Sequence, residues 1–469
     1  MKRIVLILFC FSFVRQASAQ SNDSTVTLKI QEVIAASYLY HPIINKANTF
    51  EEAALQRILS ARGAFDPRLM YRLDEKNFDE KIYYNKLNGQ LAVPLWIGNI
   101  STGVERARGE FINPEKNTPF DGLYFVGLSV PLAQGLLFDE RRKVLRQAQL
   151  LENLAEADKT ELVNQVLVNI SRVYWEWFKA YQLFVNFREA RDLADVRLTA
   201  IKEMVVLGNL APIDSVEASI NLLQREIQLE QALLDLNNNR LLLSANLWDE
   251  NGNTFIIPNN YIPENIDYMP ERIGVQQLDT MRVFARNNHP DIQRLLANKE
   301  SLEFEKRFRR EMLKPNINLE YNPLSTTLNP LGNLAFDNRN YQFGISASMP
   351  LFLRNARGNY KFTNTLITQI EYDIQQTRAN IIARFEASLN NFITLANLTS
   401  SQKRQVTDLN TLLNAEQEKF MNGESSVFLI NARETNLVNA RARLAEFITN
   451  EAISYAIMMQ AAGMVGWNY

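Results

Sequence analysis

Apolar positions along this chain follow two periods that take turns, and the pair of periods occurs twice. In "NINLEYN", Ile317, Leu319 and Tyr321 alternate with Asn316, Asn318, Glu320 and Asn322, the pattern of a strand with one apolar face. In "YQFGISASMPLF", Tyr341, Phe343, Ile345, Ala347, Met349 and Leu351 alternate with Gln342, Gly344, Ser346 and Ser348. Earlier in the chain "LYFVGLSVPL" does the same through Tyr124, Val126, Leu128, Val130 and Leu132, and Leu69, Tyr71 and Leu73 form a noisier version. Each strand pair is followed by a run without Gly or Pro, Arg141 to Leu207 and Asn359 to Asn422. Val166, Ile170, Val173, Trp177, Ala180, Phe184 and Phe187 step by four and three, as do Ile367, Ile370, Ile374 and Ile381 around Thr377, which is the seam of a coiled coil. At about 1.5 Å per residue each helix is on the order of 100 Å long.

Both long runs end in a glycine turn, "LGNLAPID" (Leu207 to Asp214) and "NGESSVFL" (Asn422 to Leu429), and a helix of good starters, Pro212 or Ser425-Ser426, then returns. The only two histidines align the copies. His41-Pro42 and His289-Pro290 each precede another proline, Pro67 and Pro315, by 25 residues counted from the first proline. The segments between are rich in helix formers, so Pro42 and Pro290 mark the starts of two equivalent helices. A His-Pro helix and a returning helix laid end to end match one long helix in length, which suits the wall of a tube. The expected organisation is a first repeat over residues 20–247, an irregular Pro- and Asn-rich connector over 248–280, and a second repeat over 281–469.

The first residues read as an address. Lys2 and Arg3 precede an apolar run from Ile4 to Val14, and Ala17-Ser18-Ala19 has the small-x-small form of a cleavage site, giving a signal peptide over residues 1–19. Its removal takes away the single cysteine, Cys10, and leaves 47 basic against 52 acidic residues. Cys10 lies inside the apolar run, so no lipid attachment is expected. After the signal, no stretch approaches the roughly 18 to 20 apolar residues of a spanning helix, and a membrane would have to be crossed by strands. The balanced charge gives no basic face for nucleic acid.

Chemistry is sparse. HExxH, GxSxG and phosphate-cradling glycine patterns are absent from the sequence, so no enzyme activity, cofactor or metal is expected. His41 and His289 could share a metal only if the two copies met there; a helix-start role is simpler. Tyr83, Tyr84, Trp96, Phe120, Tyr124 and Phe125 near the strands suit anchors at a membrane interface, whereas Tyr174, Trp175, Trp177, Phe178, Tyr181, Phe184 and Phe187 suit packing between helices.

The order of short helix, Pro, strand, strand ending in "SVPL" or "SMPL", long helix, glycine turn and returning helix, written twice behind a signal peptide, resembles the TolC family of outer-membrane efflux and secretion channels. The resemblance implies a mainly α chain with a transmembrane β-barrel portion, internally duplicated, whose coiled-coil helices build a periplasmic α-barrel in a homotrimer. It implies an exit duct in the outer membrane of a Gram-negative bacterium, served by a periplasmic adaptor and an inner-membrane transporter and surrounded by outer-membrane lipid. The alternative is a periplasmic coiled-coil adaptor or scaffold without a pore. The two turns would then form the periplasmic mouth and adaptor contact, through Leu207, Gly208, Asn209, Leu210, Ala211, Pro212 and Asp214 in the first copy and Asn422, Gly423, Glu424, Ser425 and Ser426 in the second.

Two departures from the family pattern stand out. The acid expected after each turn glycine is present as Asp214, where it serves either the helix start or the gate, but Leu429 and Ala432 occupy the equivalent places in the second copy. The first copy also carries about 29 extra residues between its prolines, Pro42 to Pro131 against Pro290 to Pro350. Within them "QLAVPLWIG" alternates, Gly98-Asn99 signals a tight turn, and Ile100, Thr102 and Val104 resume the alternation. The chain therefore has four barrel strands, or six if the insert is a further barrel hairpin; a hairpin extended outside the membrane is the other reading.

Overall fold

The computed structural model describes residues 25–264, 275–326, 337 and 339–464. The expected signal peptide and the terminal Trp467 and Tyr469 lie outside these residues. Two helices of about 100 Å dominate: α3 (Glu140–Val206) and α7 (Arg354–Met421), of 67 and 68 residues. The returning helices are α4 (Pro212–Ser244) and α8 (Val427–Ala461). They lie against the half of the long helices nearest the glycine turns, while α2 (Pro42–Arg62) and α6 (Pro290–Glu311) lie beside the other half. Two short helices fill the same wall as the long one, as the lengths predict, and α3 also touches α6 and α8, which joins the copies. In the seams, Val166, Ile170, Trp177, Ala180, Ile367, Ile370, Ile374 and Ile381 are buried.

Each His-Pro pair turns out to be a joint rather than a first start. A helix runs up to each one, α1 (Ile30–Tyr40) before His41 and α5 (Val275–Asn288) before His289. Neither helix is among the expected elements, and α5 begins inside the stretch expected to be an irregular connector. The described first part of that connector, up to Glu264, is tied down by a parallel pairing of β1 (Val26–Leu28) with β6 (Tyr261–Pro263). At each joint the imidazole Nδ1 accepts a backbone N–H two residues on, from Ile43 at 3.2 Å and from Asp291 at 3.2 Å. Pro42 and Pro290 occupy the first helical turn, where a missing N–H leaves nothing unpaired.

That cap needs a neutral ring. Burial holds both imidazoles below their ordinary value of 6.5; at His289, Asp291 and Glu161 oppose this and Arg384 and Arg294 reinforce it. A depressed histidine contributes stability that is complete above the unfolded pKa and is lost as pH falls through the folded one. His289→Ala should cost about 0.5–2 kcal/mol at pH 8, and His289→Asn, which caps at any pH, should cost less and flatten the decline between pH 7 and pH 5. Denaturant midpoints measured across that range test this; an unchanged pH slope in the Asn variant would remove the cap from the account.

The strands form one antiparallel sheet of six, in the order β2 (Arg68–Phe78), β3 (Lys81–Pro94), β4 (Asn99–Arg108), β5 (Leu123–Pro131), β7 (Asn316–Ser325) and β8 (Tyr341–Ser348). The 29-residue surplus is thus a hairpin within the sheet, so the described residues hold six long strands and not four. Its turn sits at the helical end. There the Leu95 N–H bonds to the Gly98 carbonyl at 3.0 Å, and Trp96 stacks on Phe65 with centroids 5.8 Å apart. The Arg142 guanidinium lies 5.7 Å from the Trp96 ring centre, and Arg141 Nη1 donates to Asn99 Oδ1 at 3.1 Å. Gly98 has φ of 75°, and any side-chain carbon there would collide with the Ser129 carbonyl, so glycine alone fits.

The core is densest in the middle of α3. Tyr174, Trp175 and Trp177 are wholly buried and Phe178 nearly so, against Ile30 and Val33 of α1, Ile44 and Ala47 of α2, Leu243 of α4 and Ala452 and Ala456 of α8. The Tyr174 hydroxyl donates to the Leu28 carbonyl at 2.9 Å, which links this core to the β1–β6 clip. The aromatic run is interhelical packing, as its spacing suggests.

Candidate functional site

Register carries one alternation through all six strands. Leu69, Tyr71 and Leu73 of β2 share a face with Leu87, Leu91 and Val93 of β3 and with Ile100, Thr102 and Val104 of β4. Tyr124, Val126, Leu128 and Val130 of β5 follow, then Ile317, Leu319 and Tyr321 of β7 and Tyr341, Phe343, Ile345 and Ala347 of β8. This face is apolar and open: Leu69 is 83% exposed, Ile345 63% and Phe343 57%. The opposite face is mainly polar, and its Arg68, Gln90, Ser101, Glu105, Glu320, Asn322 and Gln342 line a hollow together with Met70, Leu324 and Phe125, which is buried there and not placed as a membrane-interface anchor. A soluble sheet buries its apolar face; this one leaves it open, and the apolar face suits lipid while the polar face suits water.

The ends of the hairpin are aromatic, with Trp96 at the helical end and Phe78, Tyr83 and Phe111 together at the other, Tyr83 and Phe111 having centroids 4.4 Å apart. Phe120 lies under the Arg108 guanidinium at 3.9 Å. Among the described residues, the outer edges, β2 and β8, have no strand beyond them.

At the far end of the long helices the two glycine turns are built alike. Gly208 and Gly423 both have φ of 78°. The N–H groups of Gly208 and Asn209 bond back to Val205 and Met204, and those of Gly423 and Glu424 to Phe420 and Lys419, at 2.9 to 3.0 Å, the paired closure that lets a helix end in a left-handed residue. Asn422 caps α7 as Leu207 caps α3. In the first copy Ala211 and Pro212 open α4, and Asp214 Oδ2 accepts the Ala211 N–H at 3.1 Å. The position therefore supports the helix start. In the second copy Ser426 Oγ accepts from Leu429 N–H at 3.4 Å, and Ser425 Oγ donates to Glu416 Oε1 at 2.6 Å.

The two turns meet. Leu210 and Phe420 pack against one cluster of Leu198, Ile201, Ala218 and Val427, which draws on α3, α4 and α8. Beyond it the tips are exposed and apolar: Val206, Leu207, Ile213, Met421 and Phe428 face solvent. From Ile213 a stripe of more than half-exposed side chains continues along α4 through Val216, Ile220, Leu223, Ile227, Leu234 and Leu241. Its steps of three, four and seven make it a coiled-coil seam that no helix among the described residues covers.

A polar knot just behind the tips is absent from the expected site residues. Glu434 of α8, 2% exposed, is paired with Arg197 of α3 through Nη2. Arg197 Nη1 also donates to Asn431 Oδ1 at 3.0 Å, Asn431 Nδ2 donates to Glu217 Oε1 at 3.3 Å, and buried Arg225 of α4 donates to Thr435 Oγ1 at 2.8 Å. Burial pushes the Arg225 guanidinium down, with Arg197 adding to the effect and Glu434 opposing it. The knot ties three helices of both copies together, through residues more than 200 positions apart that no local spacing connects.

Residues 283–464 match the family described as outer membrane efflux protein. A comparison with curated protein sequences finds no match. The fold is that of solved channels of low sequence identity. The Campylobacter jejuni CmeC outer membrane channel is 14% identical, with a TM-score of 0.63 over 92% of this chain and 85% of that one. The open state of the Neisseria gonorrhoeae MtrE outer membrane channel is 13% identical, with a TM-score of 0.68 over 92% and 88%. The outer membrane protein VceC from Vibrio cholerae is 13% identical, with a TM-score of 0.64 over 92% and 96%.

Proposed function

We infer that this chain, whose residues 283–464 match the outer membrane efflux protein family, is a member of that family and the outer-membrane exit duct of a tripartite efflux pump or type I secretion system. One observation carries the reading: a sheet with an open apolar face and a polar concave face continues directly into helices of about 100 Å. A periplasmic adaptor would have no use for an apolar band across six strands. Three copies complete the duct, because each copy leaves two sheet edges and the α4 seam unpartnered. The long helices then cross the periplasm. The tips from Leu207 to Asp214 and from Asn422 to Ser426 form the mouth, with Val206, Leu207, Ile213 and Met421 offering apolar contact to the adaptor that links it to an inner-membrane transporter.

Transport here requires no catalytic group. The chain supplies a hydrated path and a mouth whose state depends on the partner. Carbonate washing of membranes separates the readings: a duct stays until detergent is added, and release by carbonate alone would leave an adaptor or scaffold. At the mouth, a disulfide formed between cysteines placed at Leu207 and Met421 of adjoining tips should abolish export of dyes or antibiotics at unchanged protein level. Full export with the crosslink verified would move the mouth elsewhere.

A further inference from the structure

The edges of the sheet and the place of the extra hairpin define the size of the assembled barrel. β3 and β4 pair along their length with β2 and β5 and repeat their alternation at the same level. Their turn is anchored at the helical end by Trp96 on Phe65 and Asn99 on Arg141. They therefore cross the same thickness as their neighbours and are part of the wall.

We propose that three copies close a single barrel of eighteen strands, β8 of each copy pairing antiparallel with β2 of the next, a conclusion that rests on the trimeric duct reading. Both edges run the right way, since β8 descends to the helical end and β2 rises from it. Closure must also keep apolar side chains on one face. Tyr341, Phe343, Ile345 and Ala347 of β8 then lie beside Leu69, Tyr71 and Leu73 of the neighbour, with Gln342, Ser346 and Ser348 inside beside Arg68, Arg72 and Asp74.

The geometry of closure provides an independent check. A row across the sheet runs from Arg68 through Ala92, Ser101, Gly127 and Asn322 to Gln342. Pairing Ser348 with the neighbour's Arg68 sets Gln342 against Asp74, about six residues above the start of the row, and pairing Ser348 with Met70 makes the step about eight. Over three copies the shear is about 18 or 24, which for eighteen strands gives a tilt of about 35° or 43°. Both lie within the range that closed barrels adopt, roughly 35–45°. The backbone diameter is then about 35 Å, some one and a half times that of a barrel built from four strands per chain. The outer-membrane portion is a wide hydrated pore with a wall of Arg, Glu, Asn, Gln and Ser, and it leaves selection by size to the mouth.

Protein purified in mild detergent provides the test. Its mass comes first: a monomer would overturn the trimeric reading and the barrel with it. For a trimer, an electron cryomicroscopy map in lipid nanodiscs is expected to show eighteen strands, and twelve, with the Lys81–Arg108 hairpin outside the wall, would overturn the proposal while leaving the duct intact. Oxidation of a variant with Ala347→Cys and Leu69→Cys, or with Ala347→Cys and Tyr71→Cys, should yield covalent trimers on a denaturing gel. Failure of both pairs in a trimer would overturn the β8–β2 junction.

Discussion

Replacing Glu434 with alanine should loosen the mouth and cost about 3–5 kcal/mol, the penalty of leaving a buried ion pair without one member. Arg197 and Arg225 would then repel each other in a packed site without the carboxylate that pairs with Arg197. Their repulsion acts on the joint between α3, α4 and α8 just behind the tips. Reconstituted channels should conduct at rest, and cells should admit dyes that the intact envelope excludes. Glu434→Gln keeps the shape and loses the charge, so its effect should fall between wild type and alanine. A double replacement, Arg197→Met with Glu434→Leu, removes both charges and should regain most of the stability. If the double variant is as unstable as Glu434→Ala, unpaired charge is not the cause.

Trp177→Ala should be as severe for a different reason. The indole is wholly buried where α1, α2, α4 and α8 converge on α3, and removal of a large aromatic from such a site costs about 3–5 kcal/mol through lost transfer energy and the cavity left behind. Trp177→Phe keeps much of the volume and should lose clearly less. Because this cluster lies between the helical wall and the β1–β6 clip, the first effect expected is protease cutting within residues 25–40 at denaturant concentrations the wild type withstands. Equal denaturant midpoints for wild type and Trp177→Ala would show that the cavity collapses without penalty.

Much of this is legible in the sequence. Period-two and seven-residue patterns depend on neighbours a few positions apart, so Ile317-Leu319-Tyr321 and the Val166 to Phe187 seam announced their own secondary structure. The duplication was marked by two His-Pro pairs because proline is tolerated in few helical positions. The hairpin is ambiguous for a local reason: β3 opens with Lys81 and then Ile82, Tyr83, Tyr84, Asn85 and Lys86, which break the alternation beside a bulge in β2 at Lys76 and Asn77. α1 and α5 carry no start signal as sharp as the His-Pro pairs that open α2 and α6 just after them. The Glu434 knot had no local signal at all, since its members come from three helices and are assembled only by packing. Asp214 was visible as an acid after a turn, but its bond to the Ala211 N–H was one of two roles that the same spacing allowed.

The two edges of the sheet differ in a way that bears on how the chain survives before it reaches its destination. β2 is studded with charge, Arg68, Arg72, Asp74, Glu75 and Lys76, and Arg72 and Asp74 hold each other at 2.6 Å. β8 has no charged residue and no proline between Tyr341 and Ser348. Charge on an edge discourages pairing with the wrong strand, and its lack invites it. A chain in transit thus has one guarded border and one adhesive border. Two copies meeting too early would join β8 to β8 and stall as a dead-end dimer, so the charged border of β2 gives assembly its direction, and β8 is where a holding chaperone would be needed.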